Sequence, residues 1–193
     1  FMPVGTRASV KGLSPDQVHQ SGSQILLNNA YHLMLRPGDA MIADRGGVHE
    51  FMRWDGPILT DSGGYQAFSM ADINAIDDEG VTFKSIIDGA KVHLGPERAM
   101  EVQNNLGADI IMAFDDCPPA LAPDEKDPHA MGAFRQRLEI AVDRTTDWLH
   151  RCVESHARAE TQSLFGIIQG GPHSDLREAS AKAVTAIDLP GYA

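Results

Sequence analysis

Four short, largely apolar runs each close on polar or glycine-rich residues, and each is followed by a stretch long enough for helix. That alternation constrains the fold more than any other feature of the chain. Residues 24–27 lead into Asn28-Asn29, and residues 57–60 into Asp61-Ser62-Gly63-Gly64. Residues 109–114 lead into Asp115-Asp116-Cys117-Pro118-Pro119, and residues 163–168 into Gln169-Gly170-Gly171. A strand whose residues are apolar without alternation has both faces covered, which is the pattern of a parallel sheet flanked by helices. Repeated strand, loop and helix therefore predict an α/β fold made of parallel βα units. Four units suit half of a (β/α)8 barrel or a short doubly wound sheet.

The helix signals fit this reading. Ser14 can cap, Pro15 is tolerated at the first helical position, and Gly22 closes a helix over about residues 15–21. Pro96-Glu97-Arg98 opens a second helix that Gly107 ends. A long amphipathic helix is expected over 128–158, and Ser174 is expected to cap a last one over 175–187. One interruption stands out. Residues 81–87, then Asp88-Gly89, then residues 91–94 read as an inserted β-hairpin with a two-residue turn.

Composition narrows the function classes. The 193 residues suit one domain or part of a larger one, and 42% hydrophobic residues exclude wholesale disorder. A net charge of −11 excludes a dedicated grip on phosphate backbones, which needs clustered cations. Cys117 and Cys152 have no Cys-x-x-Cys partner, so no zinc site of standard spacing can be built. A reducing, cytoplasmic setting is the default. No apolar run approaches the roughly 20 residues that span a bilayer. Phe1-Met2 reads as the interior of a strand entered partway, and the chain is expected to be a fragment.

The strand ends hold the candidate chemistry, as expected where βα loops gather. In Asp61-Ser62-Gly63-Gly64, two glycines allow close backbone approach to a ligand behind a carboxylate. A plain turn explains the same residues equally well. Two adjacent acids, Asp115 and Asp116, repel one another and need a reason: a metal, a cationic or donor-rich ligand, or a helix N-cap in the next loop. Gln169 offers a donor and an acceptor, and Tyr65 could stack on a flat ligand. His32 and His93 read as buried, satisfied histidines. Cys117 beside two acids is expected to have a raised pKa, which argues against a thiolate nucleophile. Taken together, Asp115, Gln169 and Tyr65 form a set that would suit guanine, a carboxylate for N1–H and the 2-amino group, an amide for O6 and a ring for the π face, though these residues by themselves do not single guanine out.

Five motifs then occur in order: Phe1-Met2-Pro3-Val4-Gly5-Thr6; Asn29-Ala30-Tyr31-His32-Leu33 with Leu35-Arg36-Pro37-Gly38; Asp61-Ser62-Gly63-Gly64-Tyr65-Gln66; Asp109-Ile110-Ile111-Met112 with Asp115-Asp116-Cys117; and Ile168-Gln169-Gly170-Gly171. Over essentially its whole length the chain resembles tRNA-guanine transglycosylase (queuine tRNA-ribosyltransferase), of the bacterial type. The resemblance implies an irregular (β/α)8 TIM barrel, with residues 1–193 its N-terminal portion, about the first half plus the hairpin. It implies exchange of guanine-34 in tRNAs with a GUN anticodon for preQ1, through a covalent ribosyl-enzyme, in queuosine biosynthesis. Asp61 is then the proton-transfer residue. Ser62, Gly63 and Gly64 form the substrate loop, Asp115 and Gln169 bind the base edge, and Tyr65 stacks on it. The nucleophilic aspartate, the zinc ligands and the basic tRNA-facing segment are implied beyond residue 193, so zinc is expected only in the full-length member. A homodimer with no membrane association is implied too. Asp116 stands where many bacterial members carry glutamate, and Ala30 where they carry threonine. Two other readings remain: a non-catalytic paralogue or accessory subunit, and a barrel glycosidase using Asp61 and Asp115 as its acid/base pair.

Overall fold

In the computed structural model, the structure describes residues 1–70, 73–118 and 128–193. Its strands are β1 (Leu26–Asn28), β2 (Ile58–Thr60), β3 (Ile73–Asp77), β4 (Gly80–Lys84), β5 (Lys91–Leu94), β6 (Ile110–Met112), β7 (Ser163–Gly166) and β8 (Gly191–Tyr192). Its helices are α1 (Pro15–Gln20), α2 (Ala30–Leu35), α3 (Asp39–Asp44), α4 (Val48–Met52), α5 (Gly64–Met70), α6 (Pro96–Leu106), α7 (Pro128–Ser155) and α8 (Ser174–Val184).

Five strands form one parallel sheet in the order β1-β2-β6-β7-β8. Every crossover carries helix, and each new strand joins on the same side. The order never reverses, so the sheet lacks the switch point of a doubly wound fold. Ahead of β1, Val4 makes a parallel bridge to Leu27, fixed by Gly5 N–H to Leu27 O (2.7 Å) and Leu27 N–H to Pro3 O (3.0 Å). Phe1 and Met2, read as the interior of a strand, carry no strand; the pairing is confined to the bridge at Val4.

Burial follows from the uninterrupted apolar runs. Leu26, Ile58, Ile111 and Leu164, one from each of four neighbouring strands, are buried. Phe114, just beyond β6, stacks on Trp148 of α7 with centroids 4.9 Å apart. A buried amide ties helix to sheet: Gln103 of α6 accepts from Thr60 Oγ1 (3.0 Å) and Met112 N–H (3.0 Å), and donates to Met112 O (2.8 Å). The ends of β2 and β6 are thereby held side by side.

The predicted hairpin is the middle and last strands of a three-stranded antiparallel sheet, β3-β4-β5. Its β4–β5 connection is not a two-residue turn at Asp88-Gly89. Residues 85–90 form the loop, because Ser85 Oγ accepts from Ile87 N–H and Asp88 Oδ1 from Ala90 N–H. Such local side-chain bonds compete with the ladder and end β4 at Lys84. Gly89 supplies the positive φ (74°) that the loop requires. Helices α2, α3 and α4 were not expected from the pattern. At five or six residues each they contain too few turns to display a 3.6-residue period. The last helix begins at Ser174, with His173 rather than Ser174 at the N-cap. Pro119 lies outside the described residues.

Candidate functional site

The C-terminal ends of β1, β2, β6 and β7 carry two carboxylates, each with its own set of donors. The first follows directly from register. Asn28 pairs with Thr60 across β1 and β2, so the next residues on each strand, Asn29 and Asp61, emerge as neighbours. Asn29 Nδ2 donates to Asp61 Oδ2, Ala30 N–H to Oδ1 (2.8 Å), and Gln66 Nε2 to Oδ2 (3.1 Å). Burial pushes the Asp61 pKa above the ordinary carboxylate value, and these donors only partly offset it.

The second carboxylate, Asp115, leaves β6 three residues beyond Met112 and is 6% exposed. Ser62 Oγ donates to its Oδ1 (3.1 Å) and Gln169 Nε2 to its Oδ2 (2.7 Å). Ser62 Oγ in turn accepts from Gly64 N–H (3.1 Å). Burial first, and the neighbouring Asp116 charge as a lesser cause, push the Asp115 pKa up to about 6. Gly64 must be small: a Cβ there would sit 2.9 Å from Asp115 Oδ1 and 3.0 Å from Asp115 O. Gly63, at φ 80°, turns the chain beside Tyr31. Gln169 is fixed from behind, its N–H donating to Ser180 Oγ of α8 (2.9 Å).

The adjacent acids divide their tasks. Asp116 turns away from Asp115 and is bound by two guanidinium groups, Arg137 and Arg144 of α7. Its partner is therefore neither a metal nor a helix N-terminus. Cys117 has its thiol pushed up to about 11, by burial and then by the charges of Asp115 and Asp116. It stays protonated at neutral pH. Tyr65, in the first turn of α5, is 64% exposed, open to a flat ligand. His32 and His93 are not buried and satisfied. His32 is half-buried against the Tyr31 ring edge, and His93 is exposed and shares a hydrogen bond with Thr82 Oγ1 (3.1 Å).

The structure thus brings Ser62, Gly64, Asp115 and Gln169 into one hydrogen-bonded group, while Asp61, the residue before Ser62, is held separately by Asn29, Ala30 and Gln66; Gly63 and Tyr65 follow on the same segment. Sequence reasoning missed Asn29 and Gln66 as partners of Asp61, and Arg137 and Arg144 as partners of Asp116. Among the described residues no three His, Cys, Asp or Glu side chains group as a metal site. The zinc that the resemblance implies has no ligand set among the described residues. Among the described residues no helix is long and apolar enough to cross a membrane.

A family model described as queuine tRNA-ribosyltransferase matches residues 1–193. Curated proteins named queuine tRNA-ribosyltransferase align over the whole chain. The one from Halalkalibacterium halodurans is 53% identical over 193 residues, covering 100% of this chain and 48% of its own. Those from Macrococcus caseolyticus and a Staphylococcus aureus strain are 50% and 51% identical, again over 100% of this chain and 48% of theirs. The chain spans about half the length of the curated relatives it matches.

Proposed function

The chain belongs to the queuine tRNA-ribosyltransferase family, and from that premise we propose that it is the N-terminal portion of a bacterial-type tRNA-guanine transglycosylase. Its substrates are then tRNAs with a GUN anticodon and the bases guanine and preQ1. The reaction is exchange at position 34, within queuosine biosynthesis, in the cytoplasm and in a homodimer. The parallel sheet is read as an arc of a (β/α)8 barrel that carries the antiparallel sheet as an insertion, its strand order running without reversal. Residues 1–193 form one part-barrel domain, and the zinc subdomain and the nucleophilic aspartate belong to the remainder of the family's length.

One observation carries the reading: Ser62, Asp115 and Gln169 meet in a buried group at the sheet's C-terminal edge. A carboxylate has about four lone-pair sites, and two of these accept from Ser62 and Gln169. The remaining sites match the adjacent N1–H and 2-amino donors of guanine. Gln169 uses one amide hydrogen on Asp115 and retains a second for O6. Tyr65 covers the π face, and Ser62, Gly63 and Gly64 wall the site. Asp61, half-buried and with a raised pKa, handles the proton as one base leaves and another enters. The target nucleotide must be flipped from its stack to reach this edge. Family membership removes support from the glycosidase reading, and the presence of Asp61, Asp115 and Gln169 together argues against an accessory subunit.

Calorimetric titration with guanine and with preQ1, repeated on Asp115→Asn, tests the proposal. The substitution removes a charge-assisted acceptor and weakens both bases by about 1–3 kcal/mol or more. Equal affinity of the variant and the parent chain would remove Asp115 from the site.

A further inference from the structure

Arginines recur on α7 at 137, 144 and 151, every seventh residue. Seven residues complete almost two turns, so all three lie along one stripe. Each is paired with another element. Arg151 Nε donates to Glu97 Oε1 of α6 (2.7 Å), and its other nitrogens reach Asp78 O and Glu79 in the β3–β4 turn. Arg144 bridges Asp78 Oδ1 (3.1 Å) and Asp116 Oδ2 (2.8 Å). Arg137 Nη1 donates to Asp116 Oδ2 (2.9 Å), and its Nη2 to Oδ1. Asp116 N–H completes the clasp by donating to Thr145 Oγ1 (3.0 Å). Asp116 itself is fully buried, while Arg137 and Arg144 keep partial exposure.

We propose that Arg137 and Arg144 are positioning residues for the neighbouring Asp115: by clasping Asp116 to α7 they aim Asp115 the opposite way, toward Ser62 and Gln169, and balance the charge beside it. The two side chains are held by different elements, Asp116 by α7 and Asp115 by Ser62 and Gln169, so anchoring one fixes where its neighbour can reach. The electrostatic part follows from proximity. The groups beside Asp115 are Asp116 and Cys117 on its own segment, Ser62 beyond β2, Gln169 beyond β7, Cys152 of α7 and, through Asp116, the two arginines of α7. Cys117 is protonated, so Asp116 and its arginines set the local charge. That Asp115 serves base recognition rests on the proposed function; the clasp itself does not.

The test is an NMR titration of the Asp115 side-chain carboxyl carbon in the 193-residue chain. Arg144→Met leaves Asp116 less compensated, and the Asp115 midpoint rises from about 6 by at least roughly half a unit. Asp116→Asn removes the like charge, and the midpoint falls. The double variant erases the rise caused by Arg144→Met. A merely structural role gives the opposite sign: Arg144→Met would loosen the loop, hydrate Asp115 and drop the midpoint toward the ordinary carboxylate value. That drop, or no shift in either single variant, overturns the proposal. Guanine titration of the same samples is separate. Failure to bind guanine with the midpoint shifts intact would count against the transglycosylase reading and leave the clasp standing.

Discussion

Asp115 sets stability against recognition at a single residue. Its carboxyl titrates near 6 in the fold, against an ordinary value near 3.8, because burial and then the Asp116 charge disfavour the anion. The folded chain therefore binds this proton more tightly than the unfolded chain. The associated stability is fully present below pH 4 and is lost as pH rises through 6. Linkage puts the effect on the order of 3 kcal/mol. Base recognition runs the other way, since only the carboxylate accepts two donors. Asp115→Asn removes the titration. We expect the variant to be more stable than the parent at pH 8, with the advantage shrinking toward pH 4.5, while the loss of guanine affinity is largest at pH 8 and shrinks as the parent's own carboxylate is protonated. Urea midpoints at the two pH values check this. A stability difference that does not vary with pH would mean that Asp115 is not the buried acid described.

At the scale of elements, two glycines separate stability from function. Gly107 closes α6 at φ 73°, in left-handed geometry. Gly107→Ala should lower stability by about 1 kcal/mol and leave base affinity unchanged. Gly64 has no such φ, but a Cβ there would press on Asp115 O and Oδ1. Gly64→Ala should displace the carboxylate and weaken guanine binding by about tenfold or more, equivalent to about 1.4 kcal/mol. Denaturation midpoints and guanine titrations on both variants test the contrast. The sequence made the major βα units legible, because strand β2 or helix α6 announces itself through unbroken apolar residues and an end signal. It concealed α2, α3 and α4, which are shorter than a recognisable period, and β3, which pairs through an irregular register. In the site, Asp61, Asp115 and Gln169 were legible as polar residues closing apolar strands. Their partners were not. Asn29 reaches Asp61 only through the β1–β2 register, and Arg137 reaches Asp116 across 21 residues of sequence. The seven-residue arginine spacing was the available signal, and it indicates a helix face without naming the acid it meets.

For the whole molecule, the distribution of charge decides how it meets a polyanion. The net charge is −11, and the arginines along α7 are largely occupied: Arg135, Arg137, Arg144 and Arg151 all pair with carboxylates. An ion-paired guanidinium releases few counterions from a phosphate backbone, so these residues add little to nucleic-acid affinity. The proposed recognition group is present at the same time, because Ser62, Asp115 and Gln169 need no residue outside this chain to meet. Base recognition and tRNA capture should therefore separate. The isolated 193-residue chain is expected to bind guanine or preQ1 detectably, to bind tRNA weakly and only at low salt, and to form no covalent adduct with it. Denaturing gels of chain, labelled tRNA and preQ1 read the adduct, and filter binding at two salt concentrations reads the affinity. A covalent band would place a nucleophile within these residues and reassign the attacking role to one of the carboxylates described, with Asp61, half-buried and held by donors from Asn29, Ala30 and Gln66, the first to substitute.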